Sequence, residues 1–303
     1  MSVLIIGIFA HAPLQPLAAE KFLQNSIVFV VMLMMSAPMP MELVRKCLMR
    51  PWPALLASLL NMGFLPLLAF GLSLMLPSEL AGGLIVAAAI PSTQASAAVL
   101  ARRAGGDDSV AILGTLITNL SCAIITPAWL ILLLGRTTKI DPVNLASNLL
   151  LLVVAPIVIA QALRLSNSFA QVADRNKATL SSLCQVGILM MVLLGAIQMG
   201  SKIALSPAAS TNFANVLTVV VLASSAHLLT LIVGWYCAAW TGIQRPQQIA
   251  VAFSGSQKTL MIGLKLAIDC GVSILPMVIY HVSQLVVDSM IAERWRKGTA
   301  AKE

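Results

Sequence analysis

Apolar residues fill this chain in long blocks, and polar residues fall mainly in the short gaps between them. A membrane-crossing helix needs about 20 largely apolar residues. By that rule the blocks predict ten crossings. They run Ser2 to Ala18, Phe22 to Pro40, Pro51 to Leu76, Leu80 to Ala101, Ser109 to Leu134, Leu145 to Leu163, Leu180 to Met199, Phe213 to Trp240, Gln248 to Ile268 and Val272 to Ala292. The first is the weakest, because it holds His11, Pro13, Gln15 and Pro16. No basic stretch precedes its apolar run and no small-residue cleavage site follows, so it reads as a span and not as a leader. Without it, nine helices remain and the amino terminus changes side.

Two spans are interrupted by small polar residues. The fourth reads Ile90-Pro91-Ser92-Thr93-Gln94-Ala95-Ser96, and the ninth reads Ser254-Gly255-Ser256-Gln257-Lys258-Thr259. Both hold the same tetrad: a hydroxyl residue, Gln, any residue, a second hydroxyl residue. A boundary near Asp141 divides the chain into two halves of five spans, about 1–140 and 141–303. Five is odd, so the halves have opposite orientations. Paired broken helices at matching positions of inverted halves point to a binding site near the membrane midplane.

Composition narrows the classes. The chain is 59% hydrophobic and 10% charged, against about 45–50% and 25% in soluble domains. The excess is surface that faces lipid, where charge is costly. A single transmembrane domain uses nearly all of the length and leaves none for a soluble catalytic or nucleic-acid-binding unit. The net charge of +8 follows topology. With Arg294, Arg296, Lys297 and Lys302 placed in the cytoplasm, 13 of the 19 Lys and Arg residues fall on the inner side and 4 on the outer. Lys258 and Lys265 lie inside the ninth span. This bias predicts a cytoplasmic carboxyl terminus, with the bacterial inner membrane as the expected location. Cys47, Cys122, Cys184, Cys237 and Cys270 form no close pair and read as free thiols. Protease, hydrolase and nucleotide-binding signatures are absent from the sequence.

Pro91 removes a backbone donor and leaves carbonyls that need partners. Ser92, Thr93, Gln94 and Ser96 can supply some of them, and a ligand can supply the rest. In the ninth span, Gly255 is the expected break, flanked by Ser254, Ser256 and Thr259. Lys258 is far from either end of that span, where an ammonium costs about 2.5–3.5 kcal/mol on insertion scales. Two functional readings stand for it: a partner for an anionic substrate, or a fixed charge where a coupling cation would otherwise bind. Lys265, nearer the end, reads as snorkelling to the interface.

In the fifth span, Thr115, Thr118, Asn119, Cys122 and Thr126 share one helix face. Interhelical hydrogen bonding accounts for Thr126, and Thr115 and Asn119 are cavity candidates. The tenth span aligns His281, Gln284 and Asp288. Asp288 reads as peripheral, while His281 is deeper, a packing residue or a proton carrier. The eighth span has Ser224, Ser225, His227 and Thr230. Asn61, five residues before Pro66, is placed to coordinate an ion or cap a kink.

In their order and spacing, these motifs resemble the bile acid:sodium symporter superfamily, in its sodium-symporter-like branch. The matching stretches are Asn61 to Phe70, Ile90 to Ser96 followed by Leu100-Ala101-Arg102, and Thr126-Pro127-Ala128. Ala226-His227-Leu228 with Gly234-Trp235-Tyr236, and Gly255 to Thr259, complete the set. The resemblance implies an all-α fold of ten helices in two inverted repeats. Helices three to five and eight to ten would form a core, with four and nine crossing. Helices one, two, six and seven would form a panel. It also implies an organic anion as substrate, and sodium as the one cofactor. Ser96 and Thr115 fit one sodium site; Asn61, Ser256 and Gln257 fit the other. Two departures weaken sodium coupling: Ala97 stands where an Asn is expected and Phe253 where an acid is expected. The function expected is secondary transport of a small organic anion by alternating access, coupled to sodium or protons. The alternatives are a sodium-independent carrier with Lys258 in place of the cation, and a non-transporting membrane receptor.

Overall fold

Helices form where the sequence places its apolar blocks, and they end at caps, prolines and polar breaks. The computed structural model describes residues 2–40, 42, 45, 49, 51–94, 96–135, 141–205 and 213–300. Lys46, Arg50, Arg136, Lys139 and Lys302 of the charge pattern, Cys47, and Ala95 of the first tetrad lie outside the described residues. In chain order the helices are α1 (Ser2–Phe9), α2 (His11–Ala19), α3 (Lys21–Ser36), α4 (Trp52–Ser73), α5 (Ser78–Ala89), α6 (Ser96–Arg103) and α7 (Asp108–Leu134). They continue as α8 (Pro142–Leu163), α9 (Asn167–Arg175), α10 (Lys177–Leu205), α11 (Phe213–Trp240), α12 (Arg245–Ser256), α13 (Leu260–Asp269) and α14 (Leu275–Ala300). Among the described residues there are no strands.

Local chemistry fixes the starts. Asp141 Oδ1 accepts from Val143 N at 3.0 Å and Asn144 N at 3.2 Å, with Pro142 next, so α8 opens on a capped, proline-led turn. Asp107 caps α7 through Ser109 N at 3.0 Å.

Six helices among the described residues are long and apolar enough to cross a membrane: α4, α7, α8, α10, α11 and α14. A seventh is reached if α2 and α3, bent by 71° at Glu20, count as one span. The expected first span is divided at Ala10 into α1 and α2. The expected fourth and ninth spans are each two half-helices, α5 with α6 and α12 with α13, and each half is too short to cross alone.

Packing separates two groups. In one, α1, α2 and α3 lie against α10, and α8 against α3. In the other, α4, α5, α7, α11, α12 and α14 pack on one another. The groups meet where α10 touches α13 and α8 touches α7. Close approach within the second group depends on glycine. A Cβ on Gly83 would sit 2.9 Å from Pro276 Cγ and strike the carbonyl oxygen of Ser273. Gly83→Ala is therefore expected to lower stability by about 1–3 kcal/mol through overpacking, read as a fall in the melting temperature of the detergent-purified protein.

Candidate functional site

The two polar breaks lie against each other. Ile90, pushed to an extended conformation (φ −83°, ψ 162°) by the proline that follows it, ends α5. The other break, Gln257 to Thr259, is also extended, with φ near −80° at Gln257 (−79°) and Thr259 (−82°). Thr259 N donates to Pro91 O at 3.1 Å, and Ser92 Oγ donates to Ser254 O at 2.9 Å. The amino ends of α6 and α13 and the carboxyl ends of α5 and α12 thus come to one place, with their partial charges.

Backbone groups freed from helix must find partners, and here side chains supply them. On the first break, Thr118 Oγ1 accepts from Ser92 N at 3.3 Å. Asn119 Nδ2 donates to Ser92 O (3.0 Å), Thr115 Oγ1 to Thr93 O (3.3 Å) and Thr126 Oγ1 to Ala89 O (2.7 Å). The polar stripe of α7 is therefore the lining of this break. On the second break, Gln284 acts like a neighbouring strand: its Oε1 accepts from Lys258 N at 2.9 Å and its Nε2 donates to Lys258 O at 3.0 Å. Asn61 Nδ2 lies within 2.8 Å of Gln257 O, 3.2 Å of Ser254 O and 3.3 Å of Gly255 O.

Lys258 is fully buried. Its Nζ donates to Ile90 O at 2.6 Å, Asn61 O at 2.7 Å and Asn61 Oδ1 at 2.9 Å. Three acceptors use all three N–H bonds of an ammonium; a neutral amine has two. Residues Leu60–Phe64 make a π turn inside α4, in which Leu65 N donates to Leu60 O. The next donor in that pattern would be Pro66, which has no N–H, so Asn61 O is left free for the ammonium. Met62 O, one residue further along the same turn, accepts from Trp129 Nε1 at 2.6 Å.

Behind the crossing is a second buried network. Ser96 Oγ donates to Gln257 Oε1 at 2.8 Å, and Gln257 Nε2 donates to Asp288 Oδ2 at 2.5 Å. Asp288 Oδ1 is 2.8 Å from His227 Nε2, and both side chains are fully buried. His227 Nδ1 faces the carbonyl of Ser256 at 3.2 Å. A carbonyl only accepts, so Nδ1 carries a proton, and a second proton must lie between Nε2 and the carboxylate. Tyr280 OH donates to the same Ser256 oxygen at 2.8 Å.

Of the sequence candidates, Asn61, Ser92, Thr93, Thr115, Asn119, Ser254, Gln257, Lys258 and Thr259 come together at the crossing through the bonds above. Ser96 reaches it through Gln257. The hydroxyls of Ser254 and Ser256 instead turn back to their own helix, on Ala250 O at 2.6 Å and Ala252 O at 2.9 Å. Gln94 Oε1 accepts from Ser36 Oγ of α3 at 3.1 Å, which links the break to the first helix group. His281 stands one step away: its Nδ1 is 2.9 Å from Gln284 Nε2. Both oxygens of Asn61 already accept from the Lys258 ammonium, Ser96 is bonded to Gln257, and Thr115 is bonded to the first break.

Three expectations are corrected. Asp288 is not peripheral: α14 runs on to Ala300 and packing buries the carboxylate between His227 and Gln257. Lys265 does not snorkel; it is buried at 5% exposure and donates to Asp269, one turn further along α13. Gly255 does not end α12, which continues to Ser256. Its missing side chain instead lets α4 approach, since a Cβ there would lie 3.3 Å from that of Leu60. Gln284 and Tyr280 received no role from the sequence. Their signal was present in the shared face of His281, Gln284 and Asp288, but a face says nothing of what it meets.

Two cavities lie along the seam between the helix groups. One, of about 660 Å³, is bordered by parts of α3, α8, α10 and α13. The other, of about 210 Å³, reaches Gln94 and Thr115 from the end that carries Arg102 and Lys177. Lys258 borders neither.

Apolar helices of spanning length around a crossing of two discontinuous helices define an integral, multi-pass membrane protein of the transporter class. The chain matches the SBF-like CPA transporter family over residues 2–297 and belongs to it; this is the bile acid:sodium symporter family of the resemblance. The sodium-dependent transporter YocS of Bacillus subtilis is 27% identical over 266 residues, which cover 86% of this chain and 78% of that protein. Sodium/bile acid cotransporter 7 of Danio rerio is 24% identical over 228 residues, covering 71% of this chain and 66% of the relative. The match thus spans just under two thirds of the fish protein.

Proposed function

We propose that this protein is a secondary active transporter that carries a small organic solute bearing an anionic group, by alternating access. In this reading the chain is ten spans in two inverted repeats. The group built on α4–α7 and α11–α14 is the core, and the group of α1–α3, α8 and α10 is the panel. One rocks against the other, exposing the seam to each side in turn. The observation that carries the proposal is the meeting of the two breaks, sealed by Lys258 Nζ on Ile90 O and Asn61. Family membership and the cavities along the seam support it.

Lys258 in this reading is a tethered cation at the crossing, and transport needs no sodium. Its three donors are spent on chain oxygens, which favours this role over direct pairing with an anion. The runner-up is a sodium-coupled symporter, favoured by the likeness to a sodium-dependent transporter and a sodium/bile acid cotransporter. Melting of the purified protein in sodium chloride and in potassium chloride separates the two. A sodium site filled at 100 times its Kd adds about 2.7 kcal/mol; the tethered-cation reading expects no difference between the salts. Uptake by proteoliposomes tests transport itself, and its absence for every solute that binds would leave only a receptor. We place the carboxyl terminus in the cytoplasm and the protein in the bacterial inner membrane, from the charge pattern of the loops.

A further inference from the structure

The larger seam cavity has a chemistry that the crossing does not use. Its charged lining is balanced: Lys21, Asp141, Lys265 and Asp269. Lys21 and Asp141 are exposed, whereas Lys265 and Gln24 are buried, so the cavity runs from the surface into the protein. Lys265 Nζ donates to both carboxylate oxygens of Asp269, one of them at 2.6 Å.

Beside this ion pair are acceptors without donors. Gln24 is 1% exposed, and its Nε2 donates to Ala18 O at 2.7 Å. A carbonyl only accepts, which fixes the amide and makes Oε1 its free end. Gln24 Oε1 and Asn25 Oδ1 are both shielded from solvent and have no hydrogen-bond partner. Buried polar atoms are nearly always bonded, so each such exception asks for an explanation.

We propose that this cavity binds a small zwitterion whose ammonium and carboxylate insert into the Lys265–Asp269 pair. A lone cation that drew off Asp269 would strand the buried Lys265, and a lone anion on Lys265 would leave the exposed Asp269 to water alone. A zwitterion re-pairs both at once. Its ammonium also brings N–H donors toward Gln24 Oε1 and Asn25 Oδ1, which no carboxylate supplies. The net neutrality of the four charged side chains selects the same class. This inference rests on the transporter reading, and it names the solute whose anionic group that reading requires.

The test is binding to the purified full chain by thermal shift and calorimetry. The probes are ω-amino acids from glycine to 6-aminohexanoate, each beside the matching carboxylic acid and the matching alkylamine. At least one amino acid is expected to bind saturably, with its acid and its amine about tenfold weaker or worse. Asp269→Asn is expected to weaken that amino acid about tenfold and to narrow its advantage over the acid. If this variant does not fold, Asn25→Leu must weaken the same ligand. An acid that binds as well as its amino acid, no binding across the amino-acid series, or variants that leave the preference unchanged overturn the proposal. Uptake of an acid without charge preference would overturn it and leave the transporter reading standing. Amino-acid binding without uptake into proteoliposomes would do the reverse.

Discussion

Lys258→Ala is expected to give a folded protein that has lost transport and gained a response to small cations. Two large effects oppose each other in its stability. The substitution removes three hydrogen bonds from a charged donor, each worth about 1.5–3 kcal/mol. It also removes a buried charge whose desolvation costs several kcal/mol. The sum is small enough to leave the fold, so the loss is functional. The side chain leaves behind Asn61 O, Asn61 Oδ1 and Ile90 O, three oxygens that had surrounded an ammonium. Ammonium or sodium from solution is then expected to raise the melting temperature of the variant and not of the wild type, by the mass-action term for a ligand that binds only the folded state. Unchanged uptake by Lys258→Ala proteoliposomes, or a variant indifferent to every monovalent cation, would remove Lys258 from the mechanism.

Asp288→Ala is expected to destabilise the protein by about 2–6 kcal/mol, the cost of stranding two buried hydrogen-bonding groups at about 1–3 kcal/mol each. The variant leaves His227 Nε2 and Gln257 Nε2 without an acceptor in a fully buried place. It also loosens Gln257, which holds Ser96 at the crossing. The check is the thermal or denaturant unfolding of the purified variant beside Asp288→Asn, which keeps the shape and one acceptor and is expected to cost less. A change within ±0.5 kcal/mol, as for an ordinary surface substitution, would mean that Asp288 is solvated after all.

The first break was legible because proline has a local cause of action: it removes a donor and forces Ile90 out of helix wherever it stands. The second break has no proline. Its polar letters were visible, but Gly255 was the wrong place for the bend, since the backbone opens where Asn61, Gln284 and Pro91 O offer partners to Gln257, Lys258 and Thr259. Those partners come from α4, α14 and the other break, far off in sequence. The stripe of α7 was legible as a face, because helical spacing alone sets which residues share one. Its target was not.

Charged residues show the same division. Lys258 stood out from the sequence because an ammonium far from both ends of an apolar span is expensive whatever surrounds it. Asp288 and Lys265 lie deeper than their positions along their helices imply. Burial depends on which neighbours cover a side chain, and α14 extends well past Asp288.

By itself the sequence determined that this is a helical membrane protein with two interrupted spans, because lipid demands apolar length and proline and charge resist it locally. Only the tertiary structure decided that the interruptions meet and that Lys258 is held by Asn61 and Ile90. It alone paired Asp288 with His227. The reason is that hydrogen bonds and ion pairs act over about 3 Å between atoms, and distance across the chain is set by packing, which no local pattern encodes.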